Sequence, residues 1–309
     1  MRIVTGGGVP EGANAILKRE DVHESDGAIV VPRDVAERTK PGSFIRFAGE
    51  NVCAGGRVLD QGTLIGAPVA GTLASFGVAH PLVTERVRVS VLSTGDEVLP
   101  PDSSPDRWQL RDSNAASLRA MLSPVPWIDL LQVRHVPDER DLLAASVRDA
   151  LERSDAVFLT GGVSMGHRDF VPEAIRRNGG DVVFHRLPQK PGKPILGAVG
   201  PEGQPILALP GNPVSVLVTA RRFGAPVLSA LAGRTPTPAP LVQLAEPDDA
   251  TLPLWWYRLV RRDDNGRYER VGGLSSGDVR SPAMADGFIE TPPDRPADGP
   301  APFFAWAWD

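Results

Sequence analysis

The chain has 309 residues and a mass of 33.0 kDa, with 41% hydrophobic and 23% charged residues, enough apolar mass for about two domains with real cores. Its 32 glycines and 31 prolines exclude a coiled coil or a helical bundle, because both residue types interrupt long helices. A net charge of −5 argues against a nucleic-acid binder, and the single cysteine, Cys53, excludes an internal disulfide and a thiolate zinc site.

Residues 1–48 read as short β segments between turns, with strand signals at 28–32 and 43–47, a patch too small to fold alone. Residues 49–85 are expected to form a connector or elongated lobe: 51–64 is Gly-rich and turn-like, and the run of small apolar residues at 67–76 reads as a short helix ended by Gly77. Residues 86–232 alternate strand and helix signals. Strands are expected at 87–92, 128–136, 156–159, 182–184 and 206–209. Helices are expected at 113–122, capped by Asp112 or Ser113, and at 139–152, where Leu142, Leu143, Val147 and Leu151 recur at helical spacing. Two more are expected at 170–177 and 213–231. Such alternation predicts a parallel sheet covered on both faces, which binds ligands at the carboxyl ends of its strands. A Pro-rich linker at 233–240 leads to strand signals at 254–261 and 288–291, read as a small C-terminal β domain over 233–309. No run of about 18 apolar residues suggests a transmembrane helix, and the N-terminus lacks a signal-peptide stretch, so a soluble cytoplasmic protein is expected.

Four loops carry candidate chemistry. In the first, Thr94, Gly95, Asp96 and Glu97 follow the 87–92 strand, and two adjacent acids there can hold Mg²⁺ or position a nucleophile; a solvated turn is the plain alternative. In the second, Gly161, Gly162 and Ser164 expose backbone N–H groups ahead of a helix, an anion nest unlike the dinucleotide or Walker loops. Asp169 is expected at that helix start, where a carboxylate is also simply a good cap. In the third, Lys190 and Lys193 flank Gly192 between prolines, which suits phosphate or oxyanion binding by point charge. In the fourth, Pro210, Gly211, Asn212, Pro213 and Ser215 open the long helix, with Asn212 as a good N-cap.

The four loops are each expected to follow a strand of one sheet, and their convergence suits a phosphorylated ligand with a metal ion or oxyanion. His80, His135, His167 and His185 show no ligand spacing, Ser164 has no base nearby, and Cys53 reads as a buried small residue. Trp255, Trp256, Trp306 and Trp308 read as packing or a sticky surface.

Seven stretches in order give these loops a family resemblance: RIVTGGGVPEGANAI at 2–16, STGDEV at 93–98, RDSNAASLRAML at 111–122, TGGVSMGHRDFV at 160–171, QKPGKPI at 189–195, LPGNPVS at 209–215 and SSGDVRSPAMADGFIE at 275–290. The chain resembles the molybdopterin molybdenumtransferase family, the MoeA type related to the C-terminal domain of gephyrin. The resemblance implies a multidomain α/β protein. Its parts would be a central three-layer α/β/α domain of molybdopterin-binding type with a mostly parallel sheet, a partial N-terminal β lobe, and a small C-terminal β-barrel-like domain. It implies insertion of molybdate into adenylylated molybdopterin with release of AMP, Mg²⁺ dependence, and an elongated homodimer with the active site at the subunit boundary. Hand-over of the product implies a molybdopterin adenylyltransferase and cofactor-accepting proteins as partners.

Carried over by motif, Asp96 and Asp169, with Glu97 beside them, match the pterin-phosphate and metal acids, and Lys190 and Lys193 match the lysines that hold anionic groups. Thr94, Gly95, Gly161, Gly162, Ser164, Gly192, Pro210, Gly211, Asn212, Pro213 and Ser215 match ligand-cradling positions, and Thr5, Arg258 and Ser276 would join them from other lobes. The family pattern includes a segment ahead of the RIVTG-type stretch, with an active-site acid, that has no equivalent in this sequence; Met1 stands at a position internal to the family. Two other readings follow. One is the sister adenylyltransferase, which carries a Gly-Gly-Thr-Gly-type loop where this chain has Gly-Gly-Val-Ser-Met-Gly. The other is a non-catalytic pterin-binding or scaffold protein.

Overall fold

The computed structural model describes residues 1–163, 169–235, 237–273 and 275–308. By internal contacts the chain divides into two units, Met1–Asp60 and Gln61–Asp309. The first holds a hairpin of β1 (His23–Ser25) and β2 (Ala28–Val30) and helix α1 (Arg33–Arg38), in which only Val35 is buried. The expected strand at 43–47 is instead a turn: Gly42 and Phe44 take φ of +89° and +57°, left-handed conformations incompatible with a strand. Cys53 is exposed, not buried as its residue type suggests.

The second unit begins with α2 (Ala67–Ser75). Then come β3 (Val87–Thr94), the short parallel pair β4 (Val98–Leu99) and β5 (Leu110–Arg111), α3 (Ser113–Leu122), β6 (Ile128–Val136), α4 (Arg140–Arg153), β7 (Ala156–Thr160) and α5 (Val171–Arg177). The chain continues through β8 (Asp181–His185), β9 (Gln189–Lys190), β10 (Leu196–Val199) and β11 (Pro205–Leu209) into α6 (Pro213–Thr219), a π-helical turn (Ala220–Gly224) and α7 (Ala225–Leu231). Last come β12 (Leu241–Val242), β13 (Trp255–Arg262), β14 (Tyr268–Arg270), α8 (Arg280–Ala283), β15 (Gly287–Thr291) and β16 (Ala301–Ala305).

The central sheet runs β6-β3-β7-β11-β10-β8. Its first four strands are parallel, and β10 and β8 close one edge antiparallel. The antiparallel edge was not legible as such; the five-residue connection 200–204 from β10 to β11 is too short for the crossover that a parallel neighbour needs. Alternate residues face opposite cores. Val157 and Leu159 of β7 join Leu143, Val147 and Ile175 under α4 and α5, while Ala156 and Phe158 join Leu118, Leu122, Val216 and Leu228 under α3, α6 and α7. The result is a three-layer α/β/α domain with a mostly parallel sheet. Asp112 caps α3 by accepting from the Ala115 N–H at 2.8 Å. The continuous helix Pro213–Leu231 has the length and apolar composition of a membrane span, yet it is a core helix, with Val216, Ala220 and Leu228 fully buried.

The C-terminal strands run β12-β16-β15-β13-β14, and β9 adds to β13 in parallel. Leu244, just after β12, bridges Tyr268 of β14, so the two ends of the sheet meet and it curls into a barrel-like form. One face packs Tyr257, Leu259 and Phe288 against Val214 and Val218 of α6; the other encloses Leu244, Val260, Ile289 and Phe303. Thus α6 serves two cores at once. Trp306 packs in the first of these cores and Trp308 stacks on Trp127 at 6.4 Å between centroids, so both are packing residues.

Candidate functional site

The carboxyl ends of β3, β7 and β11 open into a cleft of about 1580 Å³, closed on its other side by β9, β13 and the 270–281 segment. Three loops there touch through their backbones. Gly161 takes φ of +91°, and a Cβ on it would overlap the carbonyl oxygen of Thr94. The Asn114 side chain donates to Thr160 Oγ1 at 3.1 Å and to the Gly211 carbonyl at 2.7 Å, joining the second loop to the fourth. Side-chain-free glycines are what let these loops approach so closely.

In the first loop Thr94, Gly95 and Glu97 line the cleft. Asp96 does not: its Oδ1 accepts from the Asp138 N–H at 3.0 Å, tying the loop to the segment after β6. Asp138 itself lines the cleft and is hydrogen-bonded by the Thr94 hydroxyl. It went unrecognised in the sequence, although an acid two residues past the end of a strand is the available signal. In the second loop Gly161, Gly162 and Asp169 line the cleft; Ser164 lies outside the described residues, as does His167.

The third loop does not follow a strand of the parallel sheet. Its residues Lys190 to Pro194 follow β9, which belongs to the C-terminal sheet through pairing with Trp255 and Trp256. Lys190 and Lys193 are exposed into the cleft, with Lys190 Nζ 5.6 Å from the Trp256 ring centroid. In the fourth loop Pro210, Gly211, Asn212, Pro213 and Ser215 line the cleft. Asn212 occupies the N-cap position of α6 but its side chain does not cap the helix: Nδ2 donates to Ser276 Oγ at 2.8 Å. A second bond, Val214 N–H to the Ser276 carbonyl at 3.2 Å, fixes the 275–281 turn to the same loop. Thr5 lies in the exposed turn at 4–7 of the first unit.

Arg258 and Ser276 both line the cleft. Arg258 is 4% exposed, stacks at 4.0 Å on Trp256, and sits 3.5 Å from Asp248. Its Nε and Nη1 make no hydrogen bond to any described residue, and burial lowers its pKa from the usual arginine range. Burial works to raise the Asp248 carboxyl, but the bonds from Arg270 and the Ala250 N–H, with the nearby Arg258 charge, hold it below its ordinary value. Two guanidinium groups share this one carboxylate, so positive charge is left over beside the cleft. Nη2 donates to the Ala250 carbonyl and the two unmet donors are covered, so the guanidinium lends positive charge to the cleft wall.

Most of the charge is divided by side: Glu97, Asp112, Asp138 and Asp169 line the cleft from the sheet side and Lys190, Lys193, Arg258 and Arg270 from β9, its loop and the C-terminal sheet, while Arg111 of β5 adds one cation on the sheet side. No three His, Cys, Asp or Glu side chains among the described residues form a ready metal cluster. Magnesium needs no such cage, because it is commonly held by one or two carboxylates together with phosphate oxygens of a ligand. The acids of the sheet side fit that mode.

Residues 90–230 match the family described as a probable molybdopterin binding domain, and residues 1–77 match the MoeA N-terminal region, domains I and II. The chain is 34% identical over 263 residues to the molybdopterin molybdenumtransferase of Synechococcus elongatus, covering 84% of this chain and 64% of that protein. It is 32% identical over 302 residues to molybdopterin molybdenumtransferase 2 of Mycobacterium tuberculosis, covering 95% of this chain and 73% of that protein. The chain thus spans less than two thirds of the Synechococcus relative's length. Among solved structures, the molybdopterin biosynthesis MoeA protein of Pyrococcus horikoshii has the same fold, with a TM-score of 0.78 at 21% identity, covering 98% of this chain and 74% of that one.

Proposed function

The chain belongs to the molybdopterin molybdenumtransferase family, and from that premise we propose that it releases AMP from adenylylated molybdopterin and delivers molybdate to the pterin dithiolene. One observation carries this reading: a single cleft brings Glu97, Asp138 and Asp169 together with Lys190, Lys193, Arg258 and Arg111. The reaction breaks a phosphoanhydride and handles a tetrahedral oxyanion, so it needs charge stabilisation of both kinds.

In this reading one or two of Glu97, Asp138 and Asp169 would hold Mg²⁺ together with the substrate phosphates, and the ion would supply charge neutralisation at the anhydride. Asp96 acts one step back, orienting Asp138 through its backbone N–H. The Gly161 N–H is given to the Leu209 carbonyl at 3.3 Å; the backbone at Gly162 and Gly211 would face the phosphates, with Thr94, Gly95, Gly161, Pro210, Pro213 and Ser215 shaping the walls. Lys190, Lys193, Arg258 and Ser276 receive the oxyanion, and Gly192 gives the lysine loop its turn. Thr5 and Ser164 enter the proposal through their motifs alone.

The four-part division at 48, 85 and 232 is likewise part of the proposal. So is a homodimer: no residue of α2 is buried although the helix contains Val69 and Leu73, and Leu82 and Val83 nearby are exposed. A second copy of the chain is the proposed cover. A cytoplasmic location goes with a nucleotide-linked substrate.

The test is substrate choice. The full chain with Mg²⁺ is offered either ATP with molybdopterin or pre-formed adenylylated molybdopterin. Binding of the second with no adenylylation of the first is expected. ATP-dependent adenylylation would overturn the reading.

A further inference from the structure

We propose that Gln189 and Tyr257 are positioning residues for the lysine loop at 190–194, fixing it so that Lys190 and Lys193 meet an oxyanion together. The inference rests on the reading of that loop as the oxyanion seat. The loop's base is closed by backbone bonds, Leu187 N–H to the Lys193 carbonyl at 3.0 Å and Ile195 N–H to the Gly192 carbonyl at 3.2 Å, and Gln189 ties that base to the C-terminal sheet. Lys190 and Lys193 are long, exposed side chains, so their aim depends on the backbone beneath them.

Gln189 is 3% exposed, and both ends of its amide are used. Nε2 donates to the Gly192 carbonyl at 3.0 Å, across the base of the loop. Oε1 accepts from the Tyr257 hydroxyl at 3.3 Å. The amide has one orientation, since a carbonyl can only accept and so requires the Nε2 end. Gly192 itself cannot give way: at φ of +92° a Cβ would stand 2.5 Å from Thr219 Cγ2 and 3.0 Å from Gln189 Nε2, so the loop is seated on α6 at that point.

The far end of the chain of contacts is rigid. Tyr257 is buried, meets Phe288 edge-on at 5.5 Å between centroids, and lies opposite Glu290 across the β13–β15 ladder. Glu290 is in turn paired with Arg222 of the π-helical turn, while the neighbouring Arg221 donates to the Ala305 carbonyl at 2.6 Å. The same β13 holds Lys190 through the β9 pairing and through Trp256. The lysine loop is therefore registered by the C-terminal sheet and by α6 at once, and Gln189 is where the two meet. Burial keeps the Tyr257 phenol protonated, so its donor role persists across the working pH range.

The experiment is a double-mutant cycle on the full chain, reading the Kd for sodium molybdate with Mg²⁺ present by calorimetry and thermal unfolding alongside. Tyr257→Phe, which removes one hydroxyl and keeps the ring, is expected to weaken molybdate binding about fivefold, the value of one net hydrogen bond, with an unfolding midpoint close to that of the parent. In a Lys190→Ala/Lys193→Ala background the same change is expected to add less than about twofold, because both lysines it positions are gone. Gln189→Met is expected to exceed Tyr257→Phe. Should that variant not fold, Tyr257→Phe still decides the matter. A full, independent effect of Tyr257→Phe in the Lys190→Ala/Lys193→Ala background would mean direct contact with the anion and would overturn the positioning role. So would no effect of Tyr257→Phe where Lys193→Ala weakens binding. If Lys193→Ala leaves molybdate binding unchanged, or the parent binds none, the oxyanion reading fails and this proposal fails with it.

Discussion

Replacing Gly161 by Ala tests the backbone contact that shapes the cleft. Gly161 and Gly203 have nearly the same backbone, with φ of +91° and +87°. They differ in surroundings: a Cβ at Gly203 would meet nothing within 4 Å, whereas at Gly161 it would overlap the Thr94 carbonyl oxygen and stand 3.3 Å from the Thr94 carbonyl carbon and Cγ2. Both changes incur the left-handed penalty of about 1–2 kcal/mol, and both restrict the unfolded chain equally. Only Gly161→Ala adds overpacking, of about 1–3 kcal/mol. At roughly 2–4 °C per kcal/mol for a unit of this size, Gly203→Ala should lower the unfolding midpoint by about 4 °C and Gly161→Ala by about 10 °C. Relief of the overlap parts the two loops by about 1 Å, a displacement that costs on the order of 100-fold in a placed reaction. Differential scanning calorimetry and AMP-release assays on the two variants decide it. Equal midpoints, or Gly161→Ala with parental activity, would refute the reasoning.

Asn212→Ala removes the bond to Ser276 without removing a cap, since the side chain makes none; adenylylated-molybdopterin binding should weaken about fivefold while the midpoint moves by less than the 2–4 °C of an ordinary lost cap. Asp155 pairs with Arg88 at 2.7 Å, and that hydrogen bond, more than the Coulomb attraction, holds its carboxyl below the ordinary aspartate range. A depressed carboxyl stabilises the fold above its unfolded pKa, and the contribution is lost as pH falls through the lower folded value. Asp155→Asn should therefore lower the midpoint at pH 7 and flatten its decline below about pH 4, followed by scanning calorimetry; an unchanged acid limb would contradict this.

Much of the fold is legible because it follows from periodicity. Val87, Val89 and Val91 on β3, and Leu143, Val147 and Leu151 on α4, are fully or nearly fully buried, as their spacing requires, whereas Leu142, read into the same stripe, faces outward and is exposed. The Gly-rich loops are legible for a local reason too, since Gly161 and Gly162 need positive φ. What is not legible depends on partners far along the chain. Nothing local says that Gln189 and Lys190 join a strand some 65 residues away instead of the sheet they leave. The Asn212 side chain has an N-cap position but a better partner in Ser276. Asp96 and Glu97 are adjacent in sequence, yet one binds the Asp138 backbone and the other faces the cleft. Asp138 supplies the carboxylate that Asp96 does not.

The central claim is that one cleft, bringing Glu97, Asp138 and Asp169 together with Lys190, Lys193 and Arg258, breaks the anhydride and receives the oxyanion. The most direct measurement is AMP release from adenylylated molybdopterin by the 309-residue chain with Mg²⁺, with and without molybdate, beside Lys193→Ala and Arg258→Ala. The account predicts release that depends on molybdate and falls by at least about tenfold in either variant, the range for removing one charged donor. Substrate bound without AMP release, or release indifferent to both cations, would contradict it.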